Sequence, residues 1–396
     1  MVAVVVAGPL AAQDLSVDLT INKSEGLFVP QGSPVLIEWT TTGNPTQCRA
    51  LGGWSGLKNP AGAVQLSDRL TTRTRFVITC GLGIETVTDS VIVDISRRQP
   101  FGEVELVSTE DCGVGEGDCM HHHLTVTCND FGPREVSVWQ YLPTTPTSSG
   151  TFLFLPGGKG IGLYGKSSAE RAQTLQTARD AGFEVFAIGW DEDDGWYVYG
   201  AGFANSVCGF SDIARWIGTN LAESPELMCA QGNSGGAMQL AYGFEMYGAG
   251  DLLDMAILSS GPPYSKIDDA CFDPEYPHFI GVGKGENVDF FHAWDDPGYE
   301  YCEDGNGSAW RIEVTDLQSL VADLEPRTLD YPASKLIFLR SEDDSSGMRA
   351  LVFHDAITSE KAAASIPGDV HAFDKTAEGA AMIREFILTD CVETGG

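Results

Sequence analysis

The sequence predicts an α/β protein, a mostly parallel doubly wound sheet preceded by a small all-β sandwich domain. Two patterns indicate this architecture. Up to about residue 96, short alternating runs rich in Val, Ile and Thr are separated by Gly, Pro, Asn and Asp, which is typical of antiparallel strands joined by turns. Beyond that point, apolar strand-like runs alternate with helix-length amphipathic segments, which indicates βα units. A chain of 396 residues is long enough for two such domains.

The excess of acidic residues bears on which kinds of molecule the protein binds. The 24 basic and 56 acidic residues give a formal net charge of −32, which argues against nucleic acid or an anionic membrane as a partner. We interpret the excess as a solvated acidic surface. The acidic loop sequences DEDD and CEDGNGS do not fit the EF-hand pattern and receive the same interpretation, so no calcium site is predicted.

The first 14 residues and the cysteines indicate a compartment. MVAVVVAGPLAAQD is a short apolar run that ends in small residues, as in a secretory signal that lacks its basic front end, and it is too short to span a bilayer. The alternative is a buried first strand, but no polar residue alternates with the valines. The ten cysteines include no Cys-x-x-Cys pair, so disulfides are expected. We therefore expect a secreted or periplasmic protein.

The all-β domain is predicted over residues 15–97, from runs such as SPVLIEWTTTG, TRFVITCGLG and DSVIVDIS. It resembles the immunoglobulin-like modules appended to secreted bacterial enzymes. A bridge between Cys48 and Cys80 would contribute about 3–4 kcal/mol in the chain-entropy model. Trp39 precedes the first cysteine, whereas the antibody pattern places its core tryptophan between the two. The prediction is therefore an Ig-like sandwich and nothing narrower.

The second domain is predicted over residues 98–396, after a charged linker, SRRQPFG. An irregular, aromatic and acidic insertion covers about residues 262–330, and Cys271 and Cys302 are expected to pin it as a lid. The expected strands are TFLFLPGG, FEVFAIGW, ELMCAQ, DMAILSSGPP, KLIFLRSEDD and KAAASIPGDVH, and the expected helices include SSAERAQTLQTARDAG, FSDIARWIGTNLAE, GAMQLAYGFEMYG and AEGAAMIREFIL.

The most informative motif is Gly232-Asn233-Ser234-Gly235-Gly236, which matches G-x-S-x-G between a predicted strand and a predicted helix. On such an elbow the serine adopts a strained backbone conformation that exposes its hydroxyl, and the glycines avoid collisions that a Cβ would cause. The N–H of Gly235 at a helix N-terminus would favour an oxyanion. The plainer alternative is a small residue in a glycine-rich bend.

These residues resemble the α/β-hydrolase family, and the resemblance covers about residue 101 to the C-terminus. It implies a nucleophilic Ser234, an acid after the penultimate strand and a histidine after the last strand, in that chain order. His371 in SIPGDVHAF fits the histidine. His354 is a weaker competitor, because it is expected on a helix away from the carboxyl edge of the sheet.

The acid follows KLIFLRS. The resemblance implies a small residue at the end of the penultimate strand with the acid three positions further on, so counting from Ser341 selects Asp344, with Asp343 as the alternative. The resemblance also implies a second oxyanion donor in the loop after TFLFLPGG, where family members often carry His-Gly. Here Pro156 stands in the histidine place, so the donor is the N–H of Gly158 or of Lys159. The rival interpretation, a phosphate-binding loop, lacks the full P-loop spacing.

Two further clusters have plain and functional interpretations. Trp190, Trp196 and Tyr197 follow the strand FEVFAI, where they either wall a substrate pocket or pack the loop. The consecutive histidines 121–123 cannot easily bind one metal, because adjacent strand residues point to opposite faces. No metal site is predicted. Local pairing is expected among three cysteines nearby: Cys112, Cys119 and Cys128.

Together these observations predict a secreted serine hydrolase that cleaves carboxylic esters through an acyl-enzyme. It requires no cofactor, and its partner is an ester substrate, small or polymeric, rather than nucleic acid or a membrane. Two alternatives remain open. One is an extracellular esterase directed at a polyester, a polyhydroxyalkanoate or an esterified polysaccharide, and the other is an inert binding or adhesion protein.

Overall fold

The computed structural model describes residues 15–21, 27–30, 35–67, 70, 74–96, 102–112, 119–128, 131–191, 193, 195–197, 203, 206–266, 319–321 and 329–392. The chain divides into two compact units, Met1–Arg98 and Gln99–Gly396. The predicted leader and most of the predicted insertion, with Cys271 and Cys302, lie outside the described residues.

The first unit contains two sheets of mainly antiparallel strands. One has the order β1-β3-β6 and the other β2-β8-β7-β4-β5, in which β2 and β8 are parallel. The strands are β1 Ser16–Ile21, β2 Leu27–Pro30, β3 Leu36–Thr42, β4 Gln47–Gly52, β5 Gly56–Lys58, β6 Ala63–Leu66, β7 Thr74–Leu82 and β8 Glu85–Ser96. The narrower Ig-like assignment stays a prediction.

Side chains from both sheets of the first unit form one hydrophobic cluster. The rings of Trp39 and Trp54 meet edge to face with centroids 5.1 Å apart, a geometry that aromatic pairs favour. The expected bridge between Cys48 and Cys80 is present. It joins directly paired residues of the neighbouring strands β4 and β7 in one sheet.

The second unit is built on a nine-stranded sheet of the described residues, in the order β17-β16-β15-β14-β12-β13-β11-β10-β9. The strands from β17 to β13 in this order are parallel, and β11, β10 and β9 join antiparallel at one side. Their bounds are β9 Glu103–Asp111, β10 Cys119–Cys128, β11 Phe131–Tyr141, β12 Gly150–Leu155, β13 Phe183–Trp190, β14 Met228–Asn233, β15 Met255–Ser259, β16 Lys335–Ser341 and β17 Lys361–Ile366.

Helices cover both faces of this sheet, as predicted for a doubly wound arrangement. Leu153 and Leu155 of β12 belong to one core cluster, and Phe152 and Phe154 belong to a second, because successive strand residues point to opposite faces. The α-helices of the described residues are α1 Ala169–Asp180, α2 Cys208–Asn220, α3 Gly235–Tyr247, α4 Ser345–Ala356 and α5 Ala377–Phe386. Short 3-10 segments span Tyr164–Ser167, Ala249–Asp251 and Phe373–Lys375, and a π-helical turn spans Ile387–Cys391.

Side chains of α2, α3 and α4 pack on the first face, and side chains of α1 and α5 pack on the second. The central strands are therefore buried on both faces, one under each cluster, which explains why the sequences of these strands are continuously apolar. None of the described helices combines the length and the apolar character that crossing a membrane requires.

Among the described cysteines of the second unit, three disulfides link its elements. Cys112 and Cys119 form the expected local bridge. The expected local pairing of Cys128 is wrong: it bonds to Cys208, 80 residues away. Cys119 and Cys128 stand at opposite ends of β10, about 30 Å apart at the rise of an extended strand, so Cys128 meets the start of α2 instead. The third bridge, Cys229–Cys391, links β14 to the C-terminal segment.

Candidate active site

Ser234 stands on a sharp bend between β14 and α3. It has φ 51° and ψ −109°, a conformation that is costly for a residue with a Cβ. A Cβ on Gly232 would lie 2.4 Å from the carbonyl carbon of Gly236, and one on Gly236 would lie 2.6 Å from the carbonyl oxygen of Leu155. Both flanking positions therefore require glycine, and the bend holds the serine at the carboxyl end of β14.

His371 contacts the serine directly. Its Nε2 lies 2.8 Å from the Oγ of Ser234, and its side chain is 48% exposed, so the imidazole is open to solvent beside the hydroxyl. The loop that bears it follows β17. The buried hydroxyl of Ser341 donates to the carbonyl oxygen of Val370 at 2.9 Å, which fixes the backbone immediately before the histidine.

Asp344 contacts the other nitrogen of the His371 ring, which completes a hydrogen-bonded series from Ser234 through His371 to Asp344. The Nδ1 of His371 lies 3.1 Å from its Oδ1, and its side chain is only 3% exposed. The same carboxylate caps α4 by accepting the N–H groups of Ser346 and Gly347 at 3.2 Å each. The alternative acid, Asp343, is exposed to solvent. The helix cap and the histidine together therefore hold one buried carboxylate in place.

The environment keeps Asp344 ionised. Burial by itself raises the pKa of Asp344. The hydrogen bond from His371, the charge on that ring and the N–H of Ser346 lower the pKa, and their combined effect is larger, so the pKa lies below the ordinary aspartate value. An ionised carboxylate at Nδ1 places the ring proton on that nitrogen and leaves Nε2 able to accept a proton. His354, the competing histidine, lies on α4 and pairs with Asp355.

The loop after β12 lies against the serine. A Cβ on Gly157 would be 3.6 Å from the Cβ of Ser234, and one on Gly235 would be 3.0 Å from the amide nitrogen of Gly158. Gly158 has φ 61°, a left-handed conformation that favours glycine. The N–H of Gly235, at the first position of α3, has no acceptor within its own helix. The loop after β12 and the first residue of α3, which carry the candidate oxyanion donors, are therefore in close backbone contact next to Ser234.

The three predicted aromatic residues lie in the core beneath this loop. Trp190, Trp196 and Tyr197 are each at most 2% exposed. The indole N–H of Trp196 donates to the carbonyl oxygen of Gly158 at 2.9 Å, and that of Trp190 donates to Gln239 at 3.2 Å. The two indoles therefore pack against the loop and against α3. A direct contact between these rings and a substrate stays a prediction.

Two positioning contacts escaped the sequence-based prediction. One is the indole of Trp196 on the Gly158 carbonyl. The other is the buried ion pair between Arg171 Nε and Asp374 Oδ2 at 2.7 Å, which ties α1 to the turn that follows His371. Its partners are 203 residues apart, so no local pattern signals it.

The described residues include two groups that could present three metal-ligating atoms, Glu110 with His121 and His123, and Cys128 with Cys208 and Asp212. Neither group includes a member of the Ser234–His371–Asp344 series. The two cysteines of the second group are bonded to each other, which removes their thiolates as ligands.

No protein-family model matches the chain. No curated protein matches it either. Solved structures similar to it include an arylesterase, with 16% identity over 72% of this chain and 86% of that one at a TM-score of 0.46. Another is Est1E from Butyrivibrio proteoclasticus, with 13% identity over 69% and 98% of the two chains at 0.42. A third is EstE1, a thermostable carboxylesterase cloned from a metagenomic library, with 14% identity over 74% and 91% at 0.44.

Proposed function

We propose that the Gln99–Gly396 unit is a serine hydrolase of the α/β-hydrolase type that cleaves carboxylic esters through an acyl-enzyme. The observation that carries this proposal is the hydrogen-bonded series from Asp344 through His371 to Ser234. The three residues follow β16, β17 and β14, which are parallel, so all three stand at one edge of the sheet. Their chain order, serine, acid, histidine, is that of α/β-hydrolases.

In the proposed reaction the Oγ of Ser234 attacks the ester carbonyl carbon while its proton passes to Nε2 of His371. The resulting oxyanion accepts hydrogen bonds from the N–H groups of Gly235 and of Gly158 or Lys159. Collapse of the tetrahedral intermediate breaks the bond to the alkoxy oxygen, which takes the proton from the imidazolium and leaves as the alcohol. Water then attacks the acyl-enzyme with the same proton transfers and releases the carboxylic acid.

Each part of the geometry supports one step. The imidazole of His371 is exposed to solvent, so a substrate can reach it and it can receive the proton of the serine. The buried carboxylate of Asp344 stabilises the imidazolium without itself being protonated. The strained bend at Ser234 holds the hydroxyl away from competing hydrogen bonds with its own helix. Removing one oxyanion donor typically lowers kcat by about 10²–10³-fold, which sets the scale for tests of the loop.

We also propose an oxidising compartment, secreted or periplasmic. Four disulfides join all eight cysteines of the described residues, and such bonds persist in oxidising surroundings and are rare in the cytosol. The proposed substrates are carboxylic esters presented outside the cytosol, either small or as part of a polymer.

The decisive experiment combines active-site labelling with turnover. The wild-type protein should react covalently with a fluorophosphonate probe and hydrolyse p-nitrophenyl acetate or butyrate. Ser234→Ala should lose both the label and at least about 10³-fold in kcat, whereas Ser365→Ala, which removes an exposed hydroxyl from β17, should retain both. Labelling that persists in Ser234→Ala would refute the assignment, and absence of labelling in the wild type would favour an inert binding protein.

The preferred acyl group of the substrate can be identified by assays of the same wild-type protein. A series of p-nitrophenyl esters of increasing chain length, measured beside an insoluble polyester and an acetylated polysaccharide, separates a small-ester enzyme from one directed at a polymer. A higher rate on the insoluble substrates than on every soluble ester would favour the polymer-directed alternative.

A further inference from the structure

A second cluster of chemically reactive side chains lies on the antiparallel side of the large sheet. His121 and His123 are two residues apart on β10 and so point to the same face. Glu110 on β9 is directly paired with His121. His122 points to the opposite face, where it is buried and bonded to Gln140 at 2.7 Å. The alternation that separates three consecutive histidines thus brings two of them together with a carboxylate.

The distances within this cluster match those around a small ion. The Oε1 of Glu110 lies 3.5 Å from Nδ1 of His121 and 3.4 Å from Nε2 of His123. The ligand atoms of the three residues all lie within 4.8 Å of one another. Two ligands that are each about 2.0–2.1 Å from a tetrahedral Zn²⁺ are separated by about 3.4 Å. The two distances to Glu110 therefore already correspond to edges of such a tetrahedron.

The hydrogen bonds behind His121 determine which ring nitrogen carries the proton when the ring is neutral. The hydroxyl of Ser137 donates to the carboxylate of Asp191 at 2.8 Å. The Oγ of Ser137 also lies 2.8 Å from Nε2 of His121, and it has no second proton to give, so it accepts the N–H of the ring. In the neutral imidazole the lone pair of Nδ1 consequently faces the Glu110 oxygen. Two electron-rich atoms in this position repel each other unless a proton or a metal cation lies between them, and a metal ion can bind both.

The ring is also held in place. His121 stacks on Trp139 with centroids 4.8 Å apart and an interplanar angle of 8°. A hydrogen bond from the second ring nitrogen to a polar group is the arrangement that orients metal-binding histidines in proteins. His121 therefore presents Nδ1 in a defined direction before any ligand arrives, which lowers the entropy lost on binding.

We propose that Glu110, His121 and His123 bind a divalent transition-metal ion, with Zn²⁺ as the best match. Two imidazole nitrogens and one carboxylate oxygen form a typical three-ligand zinc set, and a water completes the tetrahedron. The side chains of Glu110 and His123 are 65% and 38% exposed, so solvent reaches the fourth position. Nitrogen donors disfavour Ca²⁺ and Mg²⁺, which prefer all-oxygen sites.

Occupancy would join β9, the edge strand, to β10 through side chains. The Cys112–Cys119 bridge links the same two strands nearby. A metal that binds the folded protein alone stabilises it by mass action. The ion therefore has a structural role at the sheet edge, independent of the proposed ester hydrolysis.

The test uses the full chain, freed of metal with EDTA and dialysed. Calorimetric titration with ZnCl₂ should give one bound ion per chain and a rise in Tm, and CaCl₂ should give neither. His123→Ala and Glu110→Gln should each weaken Zn²⁺ binding by about tenfold or more. Ser137→Ala, which removes the hydrogen bond that orients His121 together with the bond to Asp191 and leaves all three ligands in place, should weaken it by about tenfold. Co²⁺ in place of Zn²⁺ should show the intense visible absorption of a four-coordinate site.

The matched control is His354→Ala, because His354 also contacts a carboxylate, Asp355 Oδ1 at 2.8 Å, but without a third ligand. It should leave Zn²⁺ affinity unchanged. The proposal is overturned if the wild type binds no stoichiometric Zn²⁺, or if His123→Ala, with its circular dichroism spectrum unchanged, binds as tightly as the wild type. Equal weakening by His354→Ala would also overturn it.

Discussion

Gly235 and Gly158 are in backbone contact: a Cβ on Gly235 would stand 2.0 Å from the carbonyl oxygen of Gly158. Since carbon and oxygen cannot approach so closely, only glycine at position 235 lets the loop after β12 lie against the start of α3. The contact brings together the two segments that provide the proposed oxyanion donors. The close approach of the GNSGG and PGGKG segments to each other therefore explains part of the need for glycine at these positions.

Gly235→Ala should displace the 157–160 loop. We expect kcat for p-nitrophenyl butyrate to fall by about 10²-fold, as when an oxyanion donor is lost, together with about 1–3 kcal/mol of stability from overpacking. The control is Gly165→Ala, whose new methyl group would meet its nearest heavy atom at 3.6 Å and should change neither value appreciably. Wild-type kcat in Gly235→Ala would contradict the role of this contact.

The two neighbouring aspartates provide a second test. Asp344→Asn keeps the shape of the side chain but removes the charge that stabilises the imidazolium, so kcat should fall by about 10³–10⁴-fold with the fold retained. Asp343→Asn, which changes an exposed carboxylate one position earlier, should stay within about twofold of the wild type. If the two substitutions had the reverse effects, Asp343 would be the acid. Steady-state kinetics on the same aryl ester decides between them.

Trp196→Phe removes the indole N–H that holds the Gly158 carbonyl at 2.9 Å while preserving most of the ring. A hydrogen bond of this kind contributes about 1–1.5 kcal/mol, so kcat should fall by about tenfold through misplacement of the loop, with KM little changed. Trp216→Phe, on the partly exposed face of α2, is the matched control. An effect confined to KM would point instead to contact between Trp196 and the substrate.

The raised pKa of Asp212 predicts that the free energy of unfolding depends on pH. Burial, opposed in part by the Gly102 N–H, raises its pKa from 3.8 to about 6. The folded state therefore binds this proton more tightly than the unfolded state, and the associated stability is present below pH 4 and lost as the pH rises through 6. Asp212→Asn should be more stable than the wild type by about 2–3 kcal/mol at pH 8 and nearly equal to it at pH 4. Urea unfolding midpoints at the two pH values measure this, and a pH-independent difference would contradict it.

The main elements of the second unit were predictable because their signals are local. Alternating apolar and amphipathic segments indicate a parallel sheet, and residues directly after parallel strands share one edge. Together with the order of serine, acid and histidine that the family resemblance implied, this placed Ser234, Asp344 and His371 near each other. Their convergence within hydrogen-bonding distance agrees with that expectation, and their catalytic roles remain the proposal tested above.

Other features depend on contacts between distant segments and have no local signal. The partner of Cys128 is set by where β10 ends against α2, and the indole of Trp196 reaches Gly158 only because the two loops are packed together. The histidine cluster shows the same limitation. Strand alternation was enough to separate His122 from its neighbours, but the register that places Glu110 opposite His121 belongs to the pairing of β9 with β10.

The bridge from Cys229 to Cys391 bears on the order of events during biosynthesis. Cys229 lies on β14, the strand that leads to Ser234, and Cys391 follows every described strand of the sheet along the chain. A ribosome must therefore finish all nine of the described strands before this covalent bond can form. An export pathway that oxidises cysteines as they emerge, one after another, would meet Cys229 long before its correct partner, so an isomerase that corrects mispaired thiols would raise the yield of active protein.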